Sequence, residues 1–174
     1  MVGRQIAVRE AERREQIRTG TDPQMDQVRR LLRLRAIGPN TAWLLVHEVF
    51  GWRPIRNRHE LASRAGLTPS PYESGQSHRE QGVSKASNRR VRWTMVELAW
   101  LWLRYQPSSE LSRWFHRRFG PGNIRVRKIG VVALARKLLV ALWKYLQTGE
   151  IPAGAELKVT KDKKDLNVEL KQAS

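Results

Sequence analysis

The 174-residue sequence contains no cysteine, which excludes disulfides, thiolate metal sites and a cysteine nucleophile. Acidic residues are scarce. Sixteen Asp and Glu face 33 Lys and Arg, and Asp is absent from residue 27 to residue 161. Two-metal phosphoryl transfer needs clustered carboxylates, and the Glu residues are scattered. The four histidines, His47, His59, His78 and His116, lack the spacing of a ligand set. No metal site is expected. No stretch is long and apolar enough to span a membrane, and the N-terminal run MVGRQIAVREAERREQ has no apolar signal core. A cytoplasmic protein is the expectation. Strand-like alternation and internal repeats are both lacking, so the fold class expected is all-α.

What is present is positive charge. The formal net charge is +17, and a field of that sign attracts polyanions. Mere solubility needs a charge of only about 2–8 on a small domain. A nucleic-acid partner is the favoured reading. Anionic membrane is the weaker rival, because it calls for a free basic amphipathic helix with an exposed apolar face. Hydrophobic residues make up 40% of the chain, enough for a core, and the length suits one domain with tails. Of seven Trp, four (Trp93, Trp100, Trp102 and Trp114) lie between residues 93 and 114.

Residues 4–18 are dense in Arg and Glu at helical spacing and predict an exposed helix, ended by the breaker Thr19-Gly20-Thr21-Asp22-Pro23. Met25, Val28, Leu31 and Leu32 keep a helical period from about 23 to 35. Ala36 to Asn40 form a turn, and a third helix follows from about 40 to 49. Residues 57–65 predict a short helix, stopped by Gly66, Pro69 and Pro71. Residues 72–87 read as a polar loop of a length that is usually functional or disordered. A helix over 88–105 is apolar nearly all round and should be buried, with Arg89, Arg90 and Arg92 in its first turn. Such cations oppose the helix dipole, a placement that suits a site meeting an anion. Helices at 109–118 and 127–147 complete the core. Residues 1–22 read as a charged linker or stub, 23–149 as the helical domain, and 150–174 as a basic tail expected to be disordered.

Three groups of residues carry candidate chemistry. Around Gly38 and Asn40, two helices joined by a short turn look like a helix-hairpin-helix. In that motif glycine lets the backbone approach a phosphate, and the amides of the next helix bind it. The alternative is a plain packing unit. Second, Ser74 lies in the run Tyr72-Glu73-Ser74-Gly75. It reads locally as a turn residue and alternatively as a nucleophile toward a phosphodiester, with Glu73, His78, Arg79 and Lys85 near it in sequence. Third, Arg79, Lys85, Arg89, Arg90 and Arg92 form a one-signed cluster against Glu80 alone, which favours phosphate contact over a solvated face.

These segments together resemble a family. The run LRAIGPNTAWLL from Leu34 to Leu45, then HELASRAGLTPS, then YESGQSHREQGVSKASNRRVRWTMVELAW, resembles the C-terminal domain of the insertion-sequence one-ten (IS116/IS110/IS902) transposases. The matches are Gly38-Pro39, Gly66-Leu67 with Pro69, Ser74-Gly75, and Gly82, Lys85, Asn88 and Arg92. They cover roughly residues 28–105. Ala36 and Ser87 stand where the family pattern has glycine. The resemblance implies a serine recombinase acting on DNA, with Ser74 as the catalytic nucleophile forming a covalent phosphoserine. It implies Gly38, Asn40, Arg79, Lys85, Asn88, Arg89, Arg90 and Arg92 as DNA-binding residues, and a guide RNA that pairs with donor and target DNA. It further implies a dimer or tetramer, and magnesium held by an N-terminal acidic domain that this sequence does not contain. The expectation is therefore a truncated transposase, whose activity as an enzyme stays open. A non-catalytic nucleic-acid-binding module and a decayed remnant are the alternatives.

Overall fold

The computed structural model describes residues 2–51, 53–67 and 84–159, with only the backbone described for residue 2 and for 84–88. Among the described residues there are seven α-helices and no strand: α1 (Val2–Thr19), α2 (Pro23–Leu32), α3 (Pro39–Leu45), α4 (Arg58–Arg64), α5 (Ser84–Tyr105), α6 (Glu110–Phe119) and α7 (Ile124–Thr148). The all-α class is as the sequence predicts.

Local chemistry sets most helix ends. Asp22 caps α2 by accepting from the Met25 amide at 2.9 Å, and Pro23 supplies a preset φ at the first helical position. Asn57 caps α4, accepting from the amides of His59 and Glu60 at 3.0 and 2.9 Å. Asn123 caps α7 through the Val126 amide at 3.0 Å. At the other end, Gly149 takes the left-handed conformation at φ 78° and closes α7. The Arg30 guanidinium reaches that same end, donating to Leu146 O at 2.8 Å and Tyr145 O at 2.9 Å. It satisfies carbonyls that the last helical turn would leave without partners.

Helix α7 is the central post, packed against α5, α6, α4 and α2. Leu134, Leu138 and Leu142 are fully buried with Leu98 and Trp102 of α5, Phe115 of α6 and Val28 and Leu31 of α2. Trp102 shows how a polar group enters this core at little cost. Its Nε1 donates to Ser109 Oγ at 2.9 Å, which also accepts from the Ser112 amide and caps α6. Helix α1 is exposed along most of its length and buries only Ile17.

Four expectations need correction. Helix α5 begins at Ser84, four residues before the expected Asn88, so Arg89, Arg90 and Arg92 lie past its first turn and the dipole argument for them falls. That helix is also not buried all round. Val91, Met95, Leu98, Ala99 and Trp102 form the inner face, while Trp93 is 70% exposed and Trp100 41%. The third helix does not run evenly to 49, because α3 passes at Val46 into a π-helical turn over Val46–Phe50. Finally, residues 150–159 do not trail from the body. The amides of Arg35 and Lys158 pair with Glu156 O and Arg33 O, and Leu34 and Leu157 form an isolated antiparallel bridge. Gln106 locks this strap. Its side-chain amide donates to Arg35 O and Glu156 O, and its Oε1 accepts from the Glu156 amide at 2.7 Å.

Candidate nucleic-acid interface

The turn between α2 and α3 differs from its sequence pattern in a physically specific way. Ala36, not a glycine, holds the left-handed conformation at φ 80°. Gly38 is extended, at φ −95° and ψ 170°, and a Cβ built there would meet nothing within 4 Å. Neither packing nor backbone angle requires a glycine at 38. What the missing side chain leaves is an open approach to the backbone at the start of α3.

Asn40, in the first turn of α3, is partly committed. Its Oδ1 accepts from Arg13 Nη1 at 2.6 Å, and the same guanidinium lies 5.3 Å from the Trp43 ring centroid. Arg13 thereby ties α1 to α3. One turn on, Trp43 and His47 stack at 4.1 Å and 16°, and His47 Nδ1 donates to Trp43 O at 2.9 Å. These residues wall a cleft of about 590 Å³ between α1, α3 and α5, whose α5 side carries Arg90, Thr94 and Glu97. Asn40 and Arg90, 50 positions apart, thus share one cleft. Its charges are mixed, since Arg9, Arg13 and Arg90 line it together with Glu10, Glu48 and Glu97.

The α5 cations do not act as one cluster. Arg90 lines the cleft, while Arg89 and Arg92, three apart and exposed, share another face of the helix. None of the three pairs with a carboxylate among the described residues. Lys85 and Asn88 belong to the first turns of α5, but their side chains lie outside the described residues, as do Ser74 and Arg79 altogether. The described body does fix where the Ser74 segment departs. Arg136 of α7 donates from Nε to Leu67 O at 2.9 Å, with Nη2 on the same carbonyl. Arg136 had no motif to mark it; its signal is a pair of cations, Arg136 and Lys137, within the otherwise apolar run Val131–Val140. Arg13 was hidden in a charge run, and Trp43 in an apolar stretch.

The Arg56 amide and the Arg64 guanidinium hold the Glu60 carboxyl below its ordinary range. Burial lowers the Lys158 ammonium, whose Nζ donates to Ile37 O at 2.6 Å beside the α2–α3 turn. No group of three His, Asp or Glu able to hold a metal occurs among the described residues.

Over residues 28–113 the chain matches the Transposase IS116/IS110/IS902 family. This segment belongs to that transposase family. The transposase segment includes every residue singled out by the sequence, from Gly38 to Arg92. A Sinorhizobium fredii protein named provisionally as a transposase, y4rJ, is 49% identical over 129 residues, covering 74% of this chain and 32% of its own length. A Yersinia enterocolitica protein named as the transposase for insertion sequence element IS1328 is 28% identical over 131 residues, covering 72% of this chain and 37% of itself. The chain spans about a third of the length of these relatives. No solved structure matches it. Among the described residues, no helix is long and apolar enough to cross a membrane.

Proposed function

We propose that this chain binds DNA as the C-terminal part of an insertion-sequence transposase and supplies Ser74 as the nucleophile of strand cleavage. The observation that carries this reading is the transposase family match over residues 28–113, which contains Ser74 and every candidate cation. In the step proposed, Ser74 Oγ forms a bond to a backbone phosphorus as the bond from phosphorus to one sugar oxygen breaks. The serine proton passes to a neighbouring base and the leaving oxygen gains a proton. The phosphodiester count is conserved, so the covalent phosphoserine can be reversed by a new strand end. A serine hydroxyl is a weak nucleophile until its proton is taken and the phosphoryl charge is held. Arg79, Lys85, Arg89, Arg90 and Arg92 are assigned to stabilise or position phosphates of the DNA, Asn88 to contact it, and Gly38 and Asn40 to steady its backbone. Phosphate contacts of this kind position the strand without reading its sequence.

On this reading residues 23–149 together with the strap at 150–159 are the domain and residues 1–22 the linker to an acidic partner domain, with a guide RNA and a dimeric or tetrameric assembly completing the reaction. The test is covalent trapping. The chain is mixed with element-end DNA, with and without a supplied N-terminal domain and guide RNA, and a protein–DNA adduct that survives denaturation is sought. An adduct abolished by Ser74→Ala supports the reading. An adduct that persists in Ser74→Ala, or none with the complete mixture, refutes Ser74 as nucleophile.

A further inference from the structure

The second half of the domain carries a charge pattern that the transposase match, ending at residue 113, does not reach. Between Glu110 and Glu150 the sequence has no Asp or Glu, while Arg113, Arg117, Arg118, Arg125, Arg127 and Lys128 crowd the hairpin of α6 and α7. Gly130 seats α7 against Phe119. Every residue from 123 to 129 is exposed ahead of that contact, so a turn and a half of α7 projects from the body. Arg113 and Arg117 reach back to Glu110 at 3.2 and 3.8 Å, and Arg118 lies over the Phe119 ring. Arg125, Arg127 and Lys128 have no carboxylate partner among the described residues. Asn123 already takes the Val126 amide at the start of α7, and the binding groups argued for are the side-chain cations.

We propose that this hairpin tip is a second phosphate-contact surface, which grips the backbone of duplex DNA apart from the α5 cations. The inference rests on the reading that the chain binds DNA. Charge complementarity names a polyanion. The apolar residues exposed at the tip are aliphatic, Ile124, Val126 and Ile129, whereas single-strand binders present aromatic stacking platforms. The Trp114 ring is covered by Lys137 at 4.8 Å and by the Phe119 edge. A membrane-surface helix would need a longer apolar face, and from Gly130 onward the apolar face of α7 is committed to the core.

The experiment compares salt titrations of the full chain binding a mixed-sequence duplex DNA by fluorescence anisotropy. Arg125→Gln/Arg127→Gln/Lys128→Gln should lower the slope of log K against log salt by up to about 2.7, at about 0.9 for each phosphate no longer neutralised, with an unchanged melting temperature. Arg89→Gln/Arg92→Gln should lower it by up to about 1.8 on the same basis. Arg4→Gln/Arg14→Gln on the exposed α1 should leave it unchanged. An unaltered slope in the hairpin variant, beside a reduced one in the α5 variant, overturns the hairpin surface and leaves the DNA-binding reading standing. Absence of salt-dependent DNA binding by the parent chain overturns both. An equal drop per charge in the α1 variant, or a drop confined to RNA duplexes or anionic phosphatidylserine vesicles, also overturns the inference.

Discussion

Exchanging the two small residues of the α2–α3 turn gives the sharpest test of its geometry. Ala36 holds φ 80° between the buried Leu34 and Ile37, while Gly38 sits extended in open space. A left-handed conformation costs a residue with a Cβ about 1–2 kcal/mol. Glycine at 36 recovers that, but gives back about 0.5–1 kcal/mol in unfolded-chain entropy. It also loses a partly buried methyl, whose full burial is worth about 0.8 kcal/mol. The terms nearly offset, so Ala36→Gly should fall between a loss of about 0.8 and a gain of about 0.7 kcal/mol, within about 3 °C of the parent melting temperature for a chain of this size. Ala36→Val keeps the left-handed cost and adds β-branching, and should destabilise by about 1–2 kcal/mol. Gly38→Ala, free of clash and of positive φ, should be neutral or stabilising by about 0.5 kcal/mol. Circular-dichroism melts of the three variants provide the assay. A loss above about 1 kcal/mol, the low end of the left-handed cost, in both Ala36→Gly and Gly38→Ala would refute the assignment of strain to 36 and freedom to 38. If Gly38→Ala keeps its stability and loses DNA affinity, the glycine serves ligand approach and not folding.

Three further outcomes follow from named contacts. Gly130→Ala would put a Cβ 2.7 Å from Phe119 Cδ2 and 2.9 Å from Phe119 Cβ; overpacking of about 1–3 kcal/mol should outweigh the helix-propensity gain of about 1 kcal/mol, and urea midpoints should show a net loss that Phe119→Ala partly absorbs in the double variant. Arg30→Met removes two charge-assisted bonds from the end of α7 and should cost about 2–3 kcal/mol by chemical denaturation; an unchanged midpoint would show that water caps those carbonyls equally well. Because the Glu60 carboxyl is held low in the folded state, its stabilisation is present above its unfolded pKa and lost as pH falls through the folded one. Acid titration of Glu60→Gln should therefore show a shallower loss of stability below about pH 4.3, and a profile identical to the parent would refute this.

The helices were legible because their signals are local. Helices expected from about 23, 57, 109 and 127 start at Pro23, Arg58, Glu110 and Ile124, each behind a side-chain cap. The start of α5 was missed because its first residues, Ser84 to Asn88, are polar apart from Ala86 and offer no hydrophobic period to read. Its outer face misled for the opposite reason. Trp93 and Trp100 follow the helical period, but α7 covers only one side of α5, and no single helix's pattern tells how many partners it has. The clasp at Gln106 was invisible, since a lone glutamine after a helix becomes informative only when Arg35 and Glu156 arrive beside it. Of the candidate site, the pairing of Asn40 with Arg90 across one cleft came from the fold, while Ser74 rests on sequence resemblance.

The strap at residues 150–159 bears on the order in which the molecule can assemble. Backbone groups of Arg33 and Arg35 find their partners in Lys158 and Glu156, more than 120 positions later. Such a contact closes a long loop and is entropically slow to form. The α2–α3 turn is thus among the last parts of the described body to be finished. Until the strap docks, Gln106 and the carbonyl of Arg35 stay open to water, and Ile37 O lacks the Lys158 ammonium that donates to it. A nick between Gly149 and Glu156 would return the turn to that unfinished state from a point remote in sequence, so protease sensitivity at the strap doubles as a reporter for order at the turn.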